Sequence, residues 1–485
     1  MCAAENFNLE RAVETVTALG PEAFLGVEEL VQRVTEGSPN VIEGDLDRTL
    51  ENMIAELDTK LTDQINEILH NPKLQELEAT WRGLYFLVMN AETDASLRIQ
   101  VLNATKEELA EVFDRYPGAK WDQSPLFKMI YGPLDTHGGK PFGCLIGDYY
   151  FSHSPTDVSV LKGMMQISAA AMAPFISGVS PELFGLESWQ QIDEISDMAK
   201  LLEGKKYAGW RSLRENEDAR FLGLTGPRFL ARLPYGKSTR PVSEFDFEEE
   251  VDGKDHSKYL WANSAYAFGY CIARAYKISG WPARIWGPNT EDGMGGKLEG
   301  LPTHTFPTDD GDVDLKCPTE VAIGARRAKE FDTCGLIPLC HWKDADHASF
   351  MGAHSLQKVQ KYQNQDDQEN AELSARLSYL MTASRFGHYL KQIITEEIGT
   401  FKSREDMQNL LTNWIRQYVC ADPGSASAIA KARQPLAAAE VEVQEVKGAP
   451  GYYTAKFSLR PHYQLESVNT DISLVARVPS ARQST

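Results

Sequence analysis

A chain of 485 residues with 42% apolar and 24% charged residues can build more than one hydrophobic core, so disorder as its main state is excluded. Its net charge of −20 opposes nonspecific binding to nucleic acid or to an anionic membrane surface. The seven cysteines are scattered, form no C-x-x-C pair and favour a reducing compartment over a disulfide framework.

The first 20 residues contain Glu5, Glu10 and Glu14 and lack the apolar block of a secretion signal. The most apolar stretch, 168–179, is short and broken by Pro174, too little to span a bilayer. A cytoplasmic protein without membrane insertion is expected. Charge is uneven along the chain: residues 1–75 carry 15 acidic and 5 basic side chains, residues 401–485 carry 8 and 10. Copies would repel front to front and attract front to tail.

Residues 45–69 place Leu46, Leu50, Ile54, Leu57, Leu61, Ile65 and Ile68 three and four apart, which predicts a helix with one apolar stripe. Asn71-Pro72 reads as a stop and restart. A second helix over 73–89 aligns Leu74, Leu77, Trp81, Leu84, Tyr85 and Val88 on one face. Leu97, Ile99 and Val101 alternate as in a strand, and Thr105 with Glu108 forms a capping box before a short helix. A buried strand is expected over 142–146, a small-residue helix over 158–173, and a cap at Ser180-Pro181. Residues 226–316 are rich in Gly and Pro and predict mostly loop.

Residues 371–398 read as one helix about 40 Å long with Leu373, Leu377, Leu380, Phe386, Leu390, Ile393 and Ile394 inward. A second spans 404–419. Three strands follow: Val441 and Val443; then Tyr453, Ala455, Phe457 and Leu459 beyond the 447–451 turn; then Ile472, Leu474, Ala476 and Val478, each alternating with polar residues. The pattern is α+β (mixed α/β): an N-terminal helical segment over 1–75, a central mixed domain over 76–340 and a C-terminal domain over 341–485. So small a terminal sheet either packs on its own helices or is completed by a strand from another chain.

The search for chemistry returns little. Cys340, His341, Asp344, Asp346, His347 and His354 cluster in sequence, but His341 and His347 are six apart and fit no zinc spacing. Asp310, Asp312 and Asp314 begin like a calcium loop that then fails at Leu315 and Val321. Gly293, Gly295, Gly296 and Lys297 lack the Ser or Thr of a phosphate loop. Ser355 and Lys358 match S-x-x-K without the partner motifs of that hydrolase class, and His256 has no evident nucleophile. No catalytic, cofactor or metal residues are assigned. A hydrolase or metalloenzyme using Ser355/Lys358 or His341/His347 is a distant alternative.

Ordered blocks carry a resemblance instead: 77–84 (Leu77 through Trp81 to Leu84), 170–176, 180–184, 210–224 (Trp210-Arg211-Ser212-Leu213-Arg214-Glu215 running to Leu224), 227–236, 299–304, 316–320, 337–341, 373–377, 384–391 and 459–466. Together the chain resembles, from about 74 to 478, the large subunit of the contractile sheath of the bacterial type VI secretion system, the TssC/VipB family. The resemblance implies a non-enzymatic structural subunit that needs no cofactor. It would pair with a small TssB/VipA-like sheath protein and stack with copies of itself in six-membered rings around an inner tube of Hcp-like hexamers. A baseplate and a ClpV-like recycling ATPase are further implied partners. Another phage-tail-like contractile machine is the near alternative. The strands at 440–446, 452–460 and 471–478 are those expected to be shared between subunits. The stripe Leu46, Leu50, Ile54, Leu57, Leu61, Ile65 is offered to the small subunit or the ATPase.

Overall fold

The structure, a computed structural model, describes residues 46–243, 245–307, 312–343, 345–361, 363–397, 403–445 and 453–462. The helices in chain order are α1 (Leu46–Leu69), α2 (Pro72–Asn90), α3 (Lys106–Arg115), α4 (Pro125–Asp135), α5 (Pro155–Ala171), α6 (Met198–Leu202), α7 (Ala208–Arg214), α8 (Ser264–Ser279), α9 (Ala325–Thr333), α10 (Gln365–Ser374), α11 (Leu377–Glu396), α12 (Arg404–Arg416) and α13 (Ala428–Arg433). The strands are β1 (Leu145–Phe151), β2 (Phe175–Val179), β3 (Leu222–Gly226), β4 (Phe229–Leu230), β5 (Trp261–Ala262), β6 (Lys297–Leu298), β7 (Thr305–Pro307), β8 (Val313–Leu315), β9 (Ile337–His341), β10 (Ala348–Phe350), β11 (Leu436–Glu445) and β12 (Tyr453–Pro461). The fold is α+β, with parallel and antiparallel strands mixed.

Two compact units divide the chain, one drawn from residues up to Leu74 with Pro234–Val251, the other from Gln75–Leu233 with the residues from Asp252 on. In the first, the buried amide of Asn66 on α1 accepts from the Glu250 N–H (3.0 Å) and donates to the Glu248 carbonyl (3.3 Å). An amide there, donor and acceptor at once, satisfies two backbone groups of that extended segment.

The second unit is built on a six-stranded sheet, in the order β1-β2-β3-β9-β10-β6. The first four strands are parallel and β10 runs antiparallel to both its neighbours. Helix α5, capped by Ser154 accepting from the Asp157 N–H, makes the crossover from β1 to β2. Alternation along β2 sends Phe175 into a core under α3, α4 and α5 that includes Leu161, Trp189, Trp210 and Phe331. It sends Ile176 to the other face, where α8 packs with Phe268, Phe350 and Leu377. A third core joins Trp281, stacked on Phe386 at 4.1 Å, to Leu390, Leu411, Ile415, Val441 and Val443.

Several sequence expectations hold. The Thr105/Glu108 capping box forms, and the Asn71 side chain accepts from the Lys73 N–H (3.0 Å) at the start of α2. Others need correction. Residues 97–104 are not in a strand, for want of a ladder partner among the described residues. The strand expected over 142–146 is β1, shifted to 145–151. The single helix over 371–398 is broken into α10 and α11. Arg376 is extended there (φ −89°, ψ 128°) and bridges to His354, while the Ala353 carbonyl accepts from the Leu377 N–H and the Ala375 carbonyl from the Ser355 N–H. Tertiary pairing, together with Arg376 on Asp332 (3.1 Å), overrides an unbroken helical pattern. The loop-like region 226–316 contains α8, whose residues from Ser264 to Ala273 are nearly all buried. A helix covered on all sides has no stripe to read.

Candidate assembly surfaces

The terminal hairpin pairs β11 with β12 antiparallel, Val441 opposite Phe457 and Val443 opposite Ala455. Val441 and Val443 are buried and Ala455, Phe457 and Leu459 half-buried against α11 and α12, so the apolar face is covered by the chain's own helices. The Tyr379 hydroxyl on α11 donates to the Leu459 carbonyl at 2.8 Å and ties β12 down. Glu440, Glu442, Lys456, Ser458 and Arg460 point to solvent. Among the described residues no further strand pairs with either edge, apart from a single bridge from Val419 to Leu436. Tyr453 lies in β12. The strand expected at 471–478, with Ile472, Leu474, Ala476 and Val478, falls outside the described residues.

On α1 the predicted stripe faces outward: Ile54 is 58%, Leu57 44% and Leu61 46% exposed, with Ile65 half-buried. Leu46 and Leu50 lie in its first turns; their side chains are outside the described residues.

On α2 too the predicted stripe is exposed: Leu77, Trp81, Tyr85 and Val88 face solvent, Trp81 by 65%. The packed face is the opposite one. There Leu87 is buried, Phe86 meets Phe229 (5.2 Å between centroids), and Gly83 lies so close to the Tyr266 ring that a Cβ would stand 2.4 Å from it. Sequence periodicity detects an apolar stripe, not what covers it. At the margin of this face Glu78 holds both Arg82 (2.6 Å) and Arg232 (2.9 Å). Burial raises the Glu78 carboxyl, but the two guanidinium partners outweigh it and leave it below the ordinary range.

The residues considered for catalysis do not converge. The His341 Nε2 donates to the Ala345 carbonyl (3.0 Å), His354 Nδ1 donates to the Ser355 carbonyl (2.6 Å), and His347 lies 3.7 Å from Asp346. Among the described residues, which omit Asp344, no group of three His, Cys, Asp or Glu could hold a metal ion. Ser355 is fully buried with its hydroxyl unpaired, while Lys358 is exposed, so the two form no nucleophile–base pair. Gly296 packs against the Phe350 carbonyl and the Trp286 backbone, which explains that glycine by close packing. The His256 ring meets the Lys316 ammonium; burial first, then the Lys316 and Arg228 charges, pushes it down to about 4. Among the described residues no helix is long and apolar enough to cross a membrane.

Comparisons with known proteins agree on one group. Residues 51–357 match the EvpB/VC_A0108 tail sheath N-terminal domain, and residues 366–478 match the EvpB/VC_A0108 tail sheath gpW/gp25-like domain. A curated relative from Pseudomonas aeruginosa, the type VI secretion system sheath protein TssC1, is 53% identical over 445 residues, covering 92% of this chain and 89% of the relative. A solved cryo-EM structure of the anti-feeding prophage baseplate aligns with 77% of this chain and 82% of its own at a TM-score of 0.36 and 10% identity, a likeness too slight to carry an argument.

Proposed function

This chain belongs to the EvpB/VC_A0108 tail sheath family, and from that membership we propose how its surfaces serve a type VI secretion system sheath, of which it is a structural subunit. The observation that carries the role is the identity of 53% to a sheath protein across 92% of the chain, with both sheath domains matched in order. Its work is mechanical, in the bacterial cytoplasm, and asks for no catalytic group.

The hairpin β11–β12 is the element through which neighbouring subunits are joined. Its apolar face is already satisfied within the chain, so what it has left to offer is backbone: the open edges beside Val441, Val443, Tyr453, Ala455, Phe457 and Leu459. The segment containing Ile472, Leu474, Ala476 and Val478 would supply the added strand to a neighbour. Subunits tethered this way can slide and rotate as rigid bodies between two packed states, around an inner tube of Hcp-like hexamers set on a baseplate. Ile54, Leu57 and Leu61 on α1, with Leu46, Leu50 and Ile65, and the Trp81 face of α2 would take protein partners. We assign α2 to a TssB/VipA-like small subunit and α1 to that subunit or to a ClpV-like ATPase.

The test is co-expression with the small sheath subunit followed by electron microscopy. Hollow tubules are expected. Monodisperse particles under all conditions, with no protein of the partner's size copurifying, would overturn the reading.

A further inference from the structure

Between α2 and α3 the chain runs straight and bare. Residues 97–105 contain no helical turn, bend or bridge, and Leu97, Ile99 and Val101 alternate with Arg98 and Gln100 as in a strand. Yet from Arg98 to Asn103 no backbone N–H, carbonyl or side chain makes a hydrogen bond among the described residues.

Both ends of this stretch are fastened. At its start the Asp94 carboxylate accepts from the Ser96 and Leu97 N–H groups (2.7 and 3.0 Å) and pairs with the Lys277 ammonium on α8 at 2.6 Å. At its end the Ala104 carbonyl accepts from the Tyr149 hydroxyl of β1 (2.7 Å), and the capping box of Thr105 and Glu108 opens α3. The six residues between are held straight without bonds of their own. A strand added beside them meets a template whose conformational freedom is already largely lost. Nor is the edge defended. Open edges in natural sheets carry lysine, proline or a bulge that turns a second strand away. Here Arg98-Ile99-Gln100-Val101-Leu102-Asn103 holds one charge and no proline, and Val101 is 69% and Leu102 50% exposed.

We propose that residues 98–103 are a strand without its sheet, and that a strand of the small sheath subunit pairs with them through backbone hydrogen bonds.

This pairing rests on the sheath reading above and adds a surface to it. What the stretch lacks is a ladder, so its occupant is extended chain rather than a helix or a small molecule. A second copy laying its own 98–103 alongside would close on a two-fold axis, whereas subunits of a tube that drives its contents one way all point alike. The spare strand of neighbouring copies, 471–478, is engaged at β11–β12 in the same reading. The small subunit remains, and it is the partner given to the exposed face of α2, which ends at Asn90 just upstream.

The experiment is hydrogen exchange, read by mass spectrometry at single-amide resolution, on the full-length chain copurified with the small subunit. Adjacent residues of a strand turn their N–H groups to opposite edges. A strand on one edge should therefore slow about three of the six amides, in alternation, at least a hundredfold below the rate of an unstructured peptide. In the chain alone all six should exchange at the unstructured rate. Gln100→Pro and Val101→Pro each remove one donor, on opposite edges, and proline keeps the residue before it extended. The variant on the paired edge should lose about tenfold or more of the copurifying small subunit and the other much less. Neither should lower the unfolding temperature by more than about 2 °C. Unslowed amides at 98–103 in a complex that does form overturn the pairing and leave the sheath reading standing. Uniform slowing with both proline variants still bound means coverage without pairing and overturns it as well. So does alternating protection in the chain alone that rises with concentration, which assigns the edge to a second copy. A small subunit that never copurifies, with no tubules, overturns the pairing and the sheath reading together.

Discussion

His388 sits on α11 with 4% of its surface exposed, its Nε2 donating to the Ala171 carbonyl at 2.9 Å where α5 ends. Burial pushes the imidazole down to about 4; the carbonyl pulls it up less strongly, and the Arg385 and Lys391 charges add to the depression. The folded chain therefore refuses a proton that the unfolded chain accepts below about pH 6.5, and stability is lost as pH falls from there toward 4. Between pH 7 and 4.5 that single group should remove about 2–3 kcal/mol. His388→Gln can still donate to Ala171 and cannot titrate. Urea unfolding at both pH values should show the variant keeping most of that increment, and parallel losses in the two proteins would rule the assignment out. His256, more exposed and held by Lys316, should contribute in the same direction by less.

At the scale of elements, the outer faces of α2 and of the hairpin allow sharper tests. Leu77 and Trp81 are exposed, so Leu77→Asp with Trp81→Asp should move the unfolding midpoint little, by about 0.5 kcal/mol or less, yet reduce copurification of the small subunit at least tenfold. Retained copurification would place that partner elsewhere. Phe457→Pro removes a ladder donor from β12 opposite Val441. It should abolish tubules in electron micrographs, as should deletion of residues 471–485, while the six-stranded sheet and its circular dichroism persist. Normal tubules from either variant would mean the linkage is misplaced. These elements were legible because they are amphipathic: α1, α12 and the alternation at 441–443 and 453–459 each expose one face to solvent and bury or offer the other. Helix α8 and the break at Arg376 were not. The former has no wet side, and the latter is set by bonds to 353–355, about twenty residues back, which no local pattern records.

In the second unit as a whole, the parallel sheet is assembled out of chain order. Strand β3 ends at Gly226 and its neighbour β9 begins only at Ile337, with α8 lying between them in sequence and across β1, β2 and β3 in space. During synthesis the first three strands emerge long before the strand that covers their edge. At about 5–20 residues per second, β3 waits on the order of ten seconds beside the ribosome with the backbone groups of its outer edge unpaired. On a polysome several nascent chains would hold that same edge bare at once, close together and in equal register for mispairing. Yield of this protein is then governed by translation speed between codons 227 and 341 and by chaperone occupancy over that interval, a liability that grows with expression level even though in the finished sheet β9 pairs with that edge at Thr225 and Gly226.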